Sequence, residues 1–224
     1  MDMPSKPKTR GDIKIIVVGN SGTGKTSFCG VWTKKEFKDT YKATVMTDFT
    51  HKIFQYKGFS YKVQLWDIGG QDKNVHATKV LTRDALGCLV MCDCKDQKSL
   101  EETLKWKKAI ESNSKFKDGK DLPMYLVQNK IDLLTEEELK DETKIKEFAI
   151  KNNFISYTRT SAKMKIGIEE TMESFLGLII DRVTQYEKNT NTQVFTAERK
   201  SIALENPKQK ATMEKLDSNN QGCC

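Results

Sequence analysis

Ile13-Lys14-Ile15-Ile16-Val17-Val18-Gly19-Asn20-Ser21-Gly22-Thr23-Gly24-Lys25-Thr26 decides the fold of this chain. Ile13 to Val18 is an apolar, β-branched run bounded by glycine, which predicts a buried strand. Gly19 to Thr26 then satisfies the eight-residue phosphate-loop pattern, in its required context of strand before and helix after. Glycines are needed there because bulky side chains would keep backbone N–H groups away from phosphate oxygens. Those donors, with the N-terminus of the following helix, favour anions. The pattern assigns Lys25 to the β- and γ-phosphates of a nucleotide and the Thr26 hydroxyl to Mg²⁺. Ser21, Gly22, Thr23, Gly24, Lys25, Thr26 and Ser27 are therefore candidate nucleotide-binding residues. The loop alone does not distinguish ATP from GTP.

Outward from this stretch the chain alternates strand and helix signals. A helix is predicted from Lys25 to about Lys35, then a polar loop to Met46. Asp48 to Tyr56 and Ser60 to Asp67, separated by Lys57, Gly58 and Phe59, form a hairpin pattern. Strands at Cys88–Asp93, Met124–Gln128 and Phe154–Arg159 alternate with helical patterns at Ser99–Ser114, Glu136–Asn152 and Ile168–Tyr186. Five or six mostly parallel strands with helices on both faces follow. A flexible extension over 1–11, one domain over 12–186 and a flexible tail over 187–224 complete the expected organisation, because periodicity fades after Tyr186 and polar residues dominate.

The base is chosen by Asn129-Lys130-Ile131-Asp132, after the apolar run Met124 to Gln128. A carboxylate at Asp132 accepts from guanine N1–H and the 2-amino group, whereas adenine would leave it unpaired, and such hydrogen bonds discriminate strongly. Ser161-Ala162-Lys163 follows another strand and offers the Ala162 N–H to guanine O6, while the Lys130 stem covers the base. Trp66-Asp67-Ile68-Gly69-Gly70-Gln71 ends the second hairpin strand. There Asp67 is the acidic partner of Thr26 at Mg²⁺, Gly70 can donate its N–H to the γ-phosphate, and Gln71 can orient the attacking water. Thr44, in the preceding loop, is the candidate to close over Mg²⁺ and sense the γ-phosphate.

In this order the motifs resemble the Ras-like small GTPases over residues 14–186, and within them the Rab family. Tyr41 to Phe49 is similar to the first switch of Rabs, and the terminal Cys223-Cys224 matches their double geranylgeranylation signal. Ile68 with Leu104-Lys105-Trp106-Lys107 resembles the Rab branch associated with lysosome-related organelles. The resemblance implies an α/β fold of the P-loop NTPase G-domain type: a mostly parallel six-stranded sheet with one antiparallel strand and helices on both faces. It implies a GTP hydrolase cycling between GTP and GDP states and regulating vesicle trafficking, with Phe37 packing on the guanine edge. It also implies an exchange factor, an activating protein, an escort protein with geranylgeranyl transferase, a GDP-dissociation inhibitor and GTP-state effectors. Several positions depart from the Rab pattern. Gly69 replaces alanine, so that Trp66 to Lys73 reads like the second switch of the Arf family. An Arf reading conflicts with Asp2, where myristoylation requires glycine, and with the terminal cysteines. Met46, Lys73-Asn74 and Leu81 depart as well, which loosens any inference about partners.

The 37% hydrophobic content of 224 residues suffices for one domain plus a tail. The net charge of +7 does not indicate nucleic acid, because 38 basic residues are interleaved with 31 acidic ones. Cys29, Cys88, Cys92, Cys94, Cys223 and Cys224 show no paired metal-ligand spacing, which fits a reducing compartment. No leader or membrane-spanning run is evident in the sequence. The tail is not polybasic, so two lipid chains at Cys223 and Cys224 are the physically sensible anchor. The expected location is the cytoplasmic face of an endomembrane, endosomal, lysosome-related or secretory, with a cytosolic pool, the protein being monomeric outside its complexes. Two other classes are a phosphotransferase using the same loop, disfavoured by Asp132, and a nucleotide-locked binding scaffold with negligible turnover. Phe49 and Trp66 are candidate partner-facing anchors, with ordinary hairpin packing as the alternative.

Overall fold

A computed structural model describes residues 8–37, 39, 44, 47–70 and 80–195. Its centre is a six-stranded sheet in the order β2-β3-β1-β4-β5-β6, where β1 is Lys8–Gly19, β2 Asp48–Tyr56, β3 Phe59–Asp67, β4 Gly87–Asp93, β5 Met124–Asn129 and β6 Ser156–Arg159. Every neighbouring pair is parallel except β2–β3, the hairpin. The inner strands are apolar on both faces: Ile13 and Ile15 to Val18 in β1, and Cys88 to Cys92 in β4, are all fully buried. A strand covered on both sides must be apolar throughout, which is why these runs lack alternation. β2, on the edge, alternates exposed and half-buried residues instead.

Among the described residues, the helices described at both ends that flank the sheet are α1 (Lys25–Lys34), α2 (Gln97–Asn113), α3 (Glu136–Lys140), α4 (Thr143–Lys151) and α5 (Ile168–Thr190). α2 starts where the Asp96 side chain accepts the Ser99 N–H. α5 packs so closely on β4 that a Cβ at Gly87 would lie 2.5 Å from Ile179 Cδ1 and 2.7 Å from Phe175 Cζ. Overpacking at this seam would cost about 1–3 kcal/mol.

Four expectations need correction. The helix predicted over Glu136–Asn152 is two helices. Thr135 and Glu138 form a capping box at the start of α3, and Arg159 donates to the Glu138 and Leu139 carbonyls at 2.9 Å each, satisfying that helix end. Asp141 then accepts the Thr143 N–H at 2.9 Å and begins α4. β6 starts at Ser156 and not at Phe154, because Phe154 is drawn into the core and its N–H is bonded to the Ala149 carbonyl. β1 begins at Lys8, inside the expected extension, since its first residues pair with Phe59 and Ser60 of β3. α5 continues to Thr190, and Phe195 is 5% exposed, so the domain reaches past Tyr186.

Candidate nucleotide-binding site

The carboxyl ends of β1, β3 and β5 open on one cavity of about 650 Å³, where ligands of open parallel sheets bind. Its phosphate side is built by the turn from β1 into α1. Gly22 and Gly24 adopt left-handed backbone, at φ 83° and 90°, which glycine reaches without steric cost. A Cβ on Gly24 would also lie 2.3 Å from Asn129 Nδ2. Ser21, Gly22, Gly24, Lys25, Thr26 and Ser27 all line the cavity. Thr23 does not: its buried hydroxyl donates to the Asn20 carbonyl at 2.9 Å and braces the loop from behind.

Lys25 is 5% exposed, and its ammonium donates to the Gly19 and Asn20 carbonyls at 2.9 and 3.0 Å. Burial lowers its pKa, with the Asp67 carboxylate opposing. The Thr26 hydroxyl donates to Asp67 Oδ2 and lies 2.9 Å from Thr44 Oγ1. Asp67 is 2% exposed, and its other oxygen, Oδ1, is buried with no hydrogen-bond partner. Burial raises the Asp67 pKa, opposed by the Thr26 hydrogen bond and Lys25. Two hydroxyls beside a carboxylate with an orphaned buried oxygen form a hard-oxygen donor set, which fits Mg²⁺. Gly70 lies against the phosphate loop, and a Cβ there would be 2.2 Å from Ser21 N. Gln71 lies outside the described residues.

At the base end, Asn129 is a buried cross-brace. Its Nδ2 donates to the Thr23 carbonyl at 2.9 Å, while its Oδ1 accepts the Thr160 hydroxyl at 3.1 Å and the Ala162 N–H at 3.2 Å. The Ala162 N–H expected to meet guanine thus already has a protein acceptor. Ser161 is fully buried and lines no part of the cavity; its hydroxyl donates to Asp132 Oδ1 and accepts the Met164 N–H at 3.0 Å. Asp132 is thereby aimed into the cavity, where Lys130, Ala162, Lys163 and Phe37 also stand. Lys130 has left-handed backbone, φ 66°, and pairs with Asp93 at 2.7 Å. Asp93, Leu133, Asp48 and Thr50 were missed by sequence reasoning. Leu133 adjoins Asp132 and was findable, whereas Asp93 is brought in only because β4 pairs with β5.

Phe49 is 44% exposed and packs edge-on against Trp66, its partner across the β2–β3 hairpin, with centroids 5.6 Å apart. Lys14 stands 3.9 Å over the Trp66 ring and donates to the Arg83 carbonyl at 3.0 Å. Cys29, Cys88 and Cys92 are buried, and burial raises all three thiol pKa values. Cys223 and Cys224 lie outside the described residues. Among the described residues no helix is long and apolar enough to cross a membrane.

Residues 14–181 match the Ras family. Over 181 residues the chain is 31% identical to Ras-related protein Rab-7L1 of Homo sapiens, spanning 80% of this chain and 88% of that one. It is a Rab of the Ras family. Ras-related protein Rab-32C of Dictyostelium discoideum is 33% identical over 178 residues, 80% of this chain and 78% of its own. Ras-related protein Rab-32 of Homo sapiens is 29% identical over 220 residues, 97% and 92% of the two chains. This Rab therefore has relatives in the branch to which Ile68 and Leu104 to Lys107 pointed. Rabs are GTP hydrolases that bind GTP and GDP and regulate vesicle trafficking at endomembranes, and this chain is one of them.

Proposed function

We propose that this Rab is a membrane-anchored, Mg²⁺-dependent switch that cycles between a GTP-bound active and a GDP-bound inactive state. The observation that carries the reading is the meeting of Thr26, Thr44 and Asp67 across one cavity from Asp132. Thr26, Thr44 and Asp67 would hold Mg²⁺, which would supply positive charge against the β- and γ-phosphates. Lys25 exchanges its loop carbonyls for phosphate oxygens, and the Gly70 N–H, set against Ser21, donates to the γ-phosphate. Gln71 orients a water for in-line attack on γ-phosphorus; the bond to the β,γ-bridging oxygen breaks, leaving GDP and inorganic phosphate. None of the described cavity-lining residues is an arginine. Unaided turnover is accordingly slow, on the order of 10⁻⁴ s⁻¹, and an activating protein supplies fast shut-off.

Loss of the γ-phosphate releases Thr44 and Gly70, so that effectors, the exchange factor and the GDP-dissociation inhibitor distinguish the two states. Two prenyl chains, added to Cys223 and Cys224 by geranylgeranyl transferase with its escort protein, hold the protein on the cytoplasmic face of an endomembrane, with a cytosolic pool in the inhibitor complex.

The test is nucleotide content and single-turnover hydrolysis of the purified chain with Mg²⁺, GTP against ATP. Co-purified guanine nucleotide with slow GTP loss supports the switch. Guanine binding without turnover would point to a locked scaffold, and ATP preference would overturn the reading. Gln71→Leu abolishes hydrolysis while GTP affinity is kept, and Cys223→Ser with Cys224→Ser leaves the protein cytosolic.

A further inference from the structure

Beyond the nucleotide site, a polar cluster joins the start of β1 to the segment that follows α5. In the pairing of β1 with β3, Thr9 faces Ser60 and Gly11 faces Tyr61, so Arg10 is the extra residue of a bulge. Bulges re-aim side chains. Here the Arg10 guanidinium pairs with Glu187 of α5 at 2.8 Å and stands 5.2 and 5.4 Å over the Phe59 and Phe195 rings. The other oxygen of Glu187 accepts the backbone N–H groups of Val194 and Phe195, at 2.7 and 2.9 Å. Phe195 packs edge-on against Tyr61 at 5.1 Å, and a Cβ on Gly11 would lie 3.0 Å from Phe195 Cα and Cβ.

We propose that Glu187 to Phe195 is a clasp that docks the start of the C-terminal tail into a socket of Arg10, Gly11, Phe59 and Tyr61. The bulge, the absent side chain at Gly11, the carboxylate shared by two amides and the aromatic pair all serve that one contact. None is called for by nucleotide chemistry. A solvated helix end would leave Glu187 in water and Phe195 exposed, yet Glu187's side chain is 13% exposed and Phe195 5%. Gly11 lies eight strand residues from Gly19, about 26 Å at ~3.3 Å per residue. The clasp therefore fixes the tail's departure point at the pole opposite the nucleotide cavity. The 29 residues from 196 to 224 then set the greatest distance from domain to terminal cysteines, about 100 Å fully extended.

The deciding experiment is hydrogen exchange on the full-length, GDP-loaded chain. The Val194 and Phe195 amides are expected to exchange at least about tenfold more slowly than unprotected amides. Glu187→Ala and Phe195→Ala each abolish that protection and leave β4 and β5 amides unchanged, which shows that the domain still folds. Glu187→Gln, which keeps an acceptor, retains most of it. Unprotected exchange at Val194 and Phe195 in the unmodified chain, or protection that survives both alanine variants, would overturn the clasp.

Discussion

The two ends of the nucleotide cavity are built differently. At the base end, the functional groups are held by side chains committed to protein partners: Ser161 and Asp93, outside the cavity lining, aim Asp132 and hold Lys130, and Asn129, at the cavity wall, ties Thr23, Thr160 and Ala162 together. At the phosphate end, the functional groups hold one another or the loop's own carbonyls: Lys25 on Gly19 and Asn20, Thr26 on Asp67 and Thr44. The chemistry accounts for the difference. A base is the same in GDP and GTP and is best read by a fixed pattern, where a wrong partner leaves buried groups unpaired. The γ-phosphate comes and goes, so its sensors must form bonds that can be exchanged.

Asn129→Ala strikes the brace between the two ends and is expected to have the largest effect. It leaves the Thr23 carbonyl, the Thr160 hydroxyl and the Ala162 N–H without their partner, a loss of about 3–9 kcal/mol at roughly 1–3 kcal/mol per buried group. Urea unfolding reads this directly. A change under 1 kcal/mol would mean that the base end is no more fixed than the other. Asp132→Asn confines the damage to base reading: guanine nucleotide affinity falls about 10²- to 10³-fold, or 3–4 kcal/mol, and competition shifts toward xanthine nucleotides, whose 2-oxo group accepts from the amide. Equal loss of both nucleotides would contradict a purely local effect.

Gly70→Ala probes the exchangeable end. Its Cβ cannot sit 2.2 Å from Ser21 N, so Gly70 must withdraw; GTP turnover slows about 10²-fold, the loss of one transition-state donor, while GDP affinity stays within about twofold. Weakened GDP binding would show that this contact is not specific to the γ-phosphate. The smallest effect concerns Lys14, whose pKa burial lowers to about 8. A base with a lowered folded pKa binds fewer protons folded than unfolded between pH 8 and the unfolded value near 10.5. Its contribution to stability therefore rises with pH across that window. Relative to Lys14→Met, the unmodified chain should gain stability between pH 7.5 and 9.5. A constant difference between the two would refute the shift.

Residues whose role is fixed by backbone chemistry and near neighbours were legible in the sequence. The Gly19–Thr26 loop, the buried strand before it, the β2–β3 hairpin and the Asp132 carboxylate all follow from local pattern, because glycine placement, β-branched runs and donor–acceptor chemistry act over a few residues. Four positions were decided by packing between distant segments. The break at Asp141 depends on Arg159 capping α3 from β6. Thr23 and Ser161, expected at the ligand, stand behind the cavity wall, since loop curvature and not residue type sets which side chain faces in. The domain runs on to Phe195 because a bulge at Arg10, 177 positions before Glu187, supplies its partner. The chemistry available at each motif was readable from the order of residues, because it resides in residue type and spacing. Which groups already have partners and which, like Asp67 Oδ1, are left for a ligand came from the fold, because pairing depends on distances between segments that the order of residues does not contain.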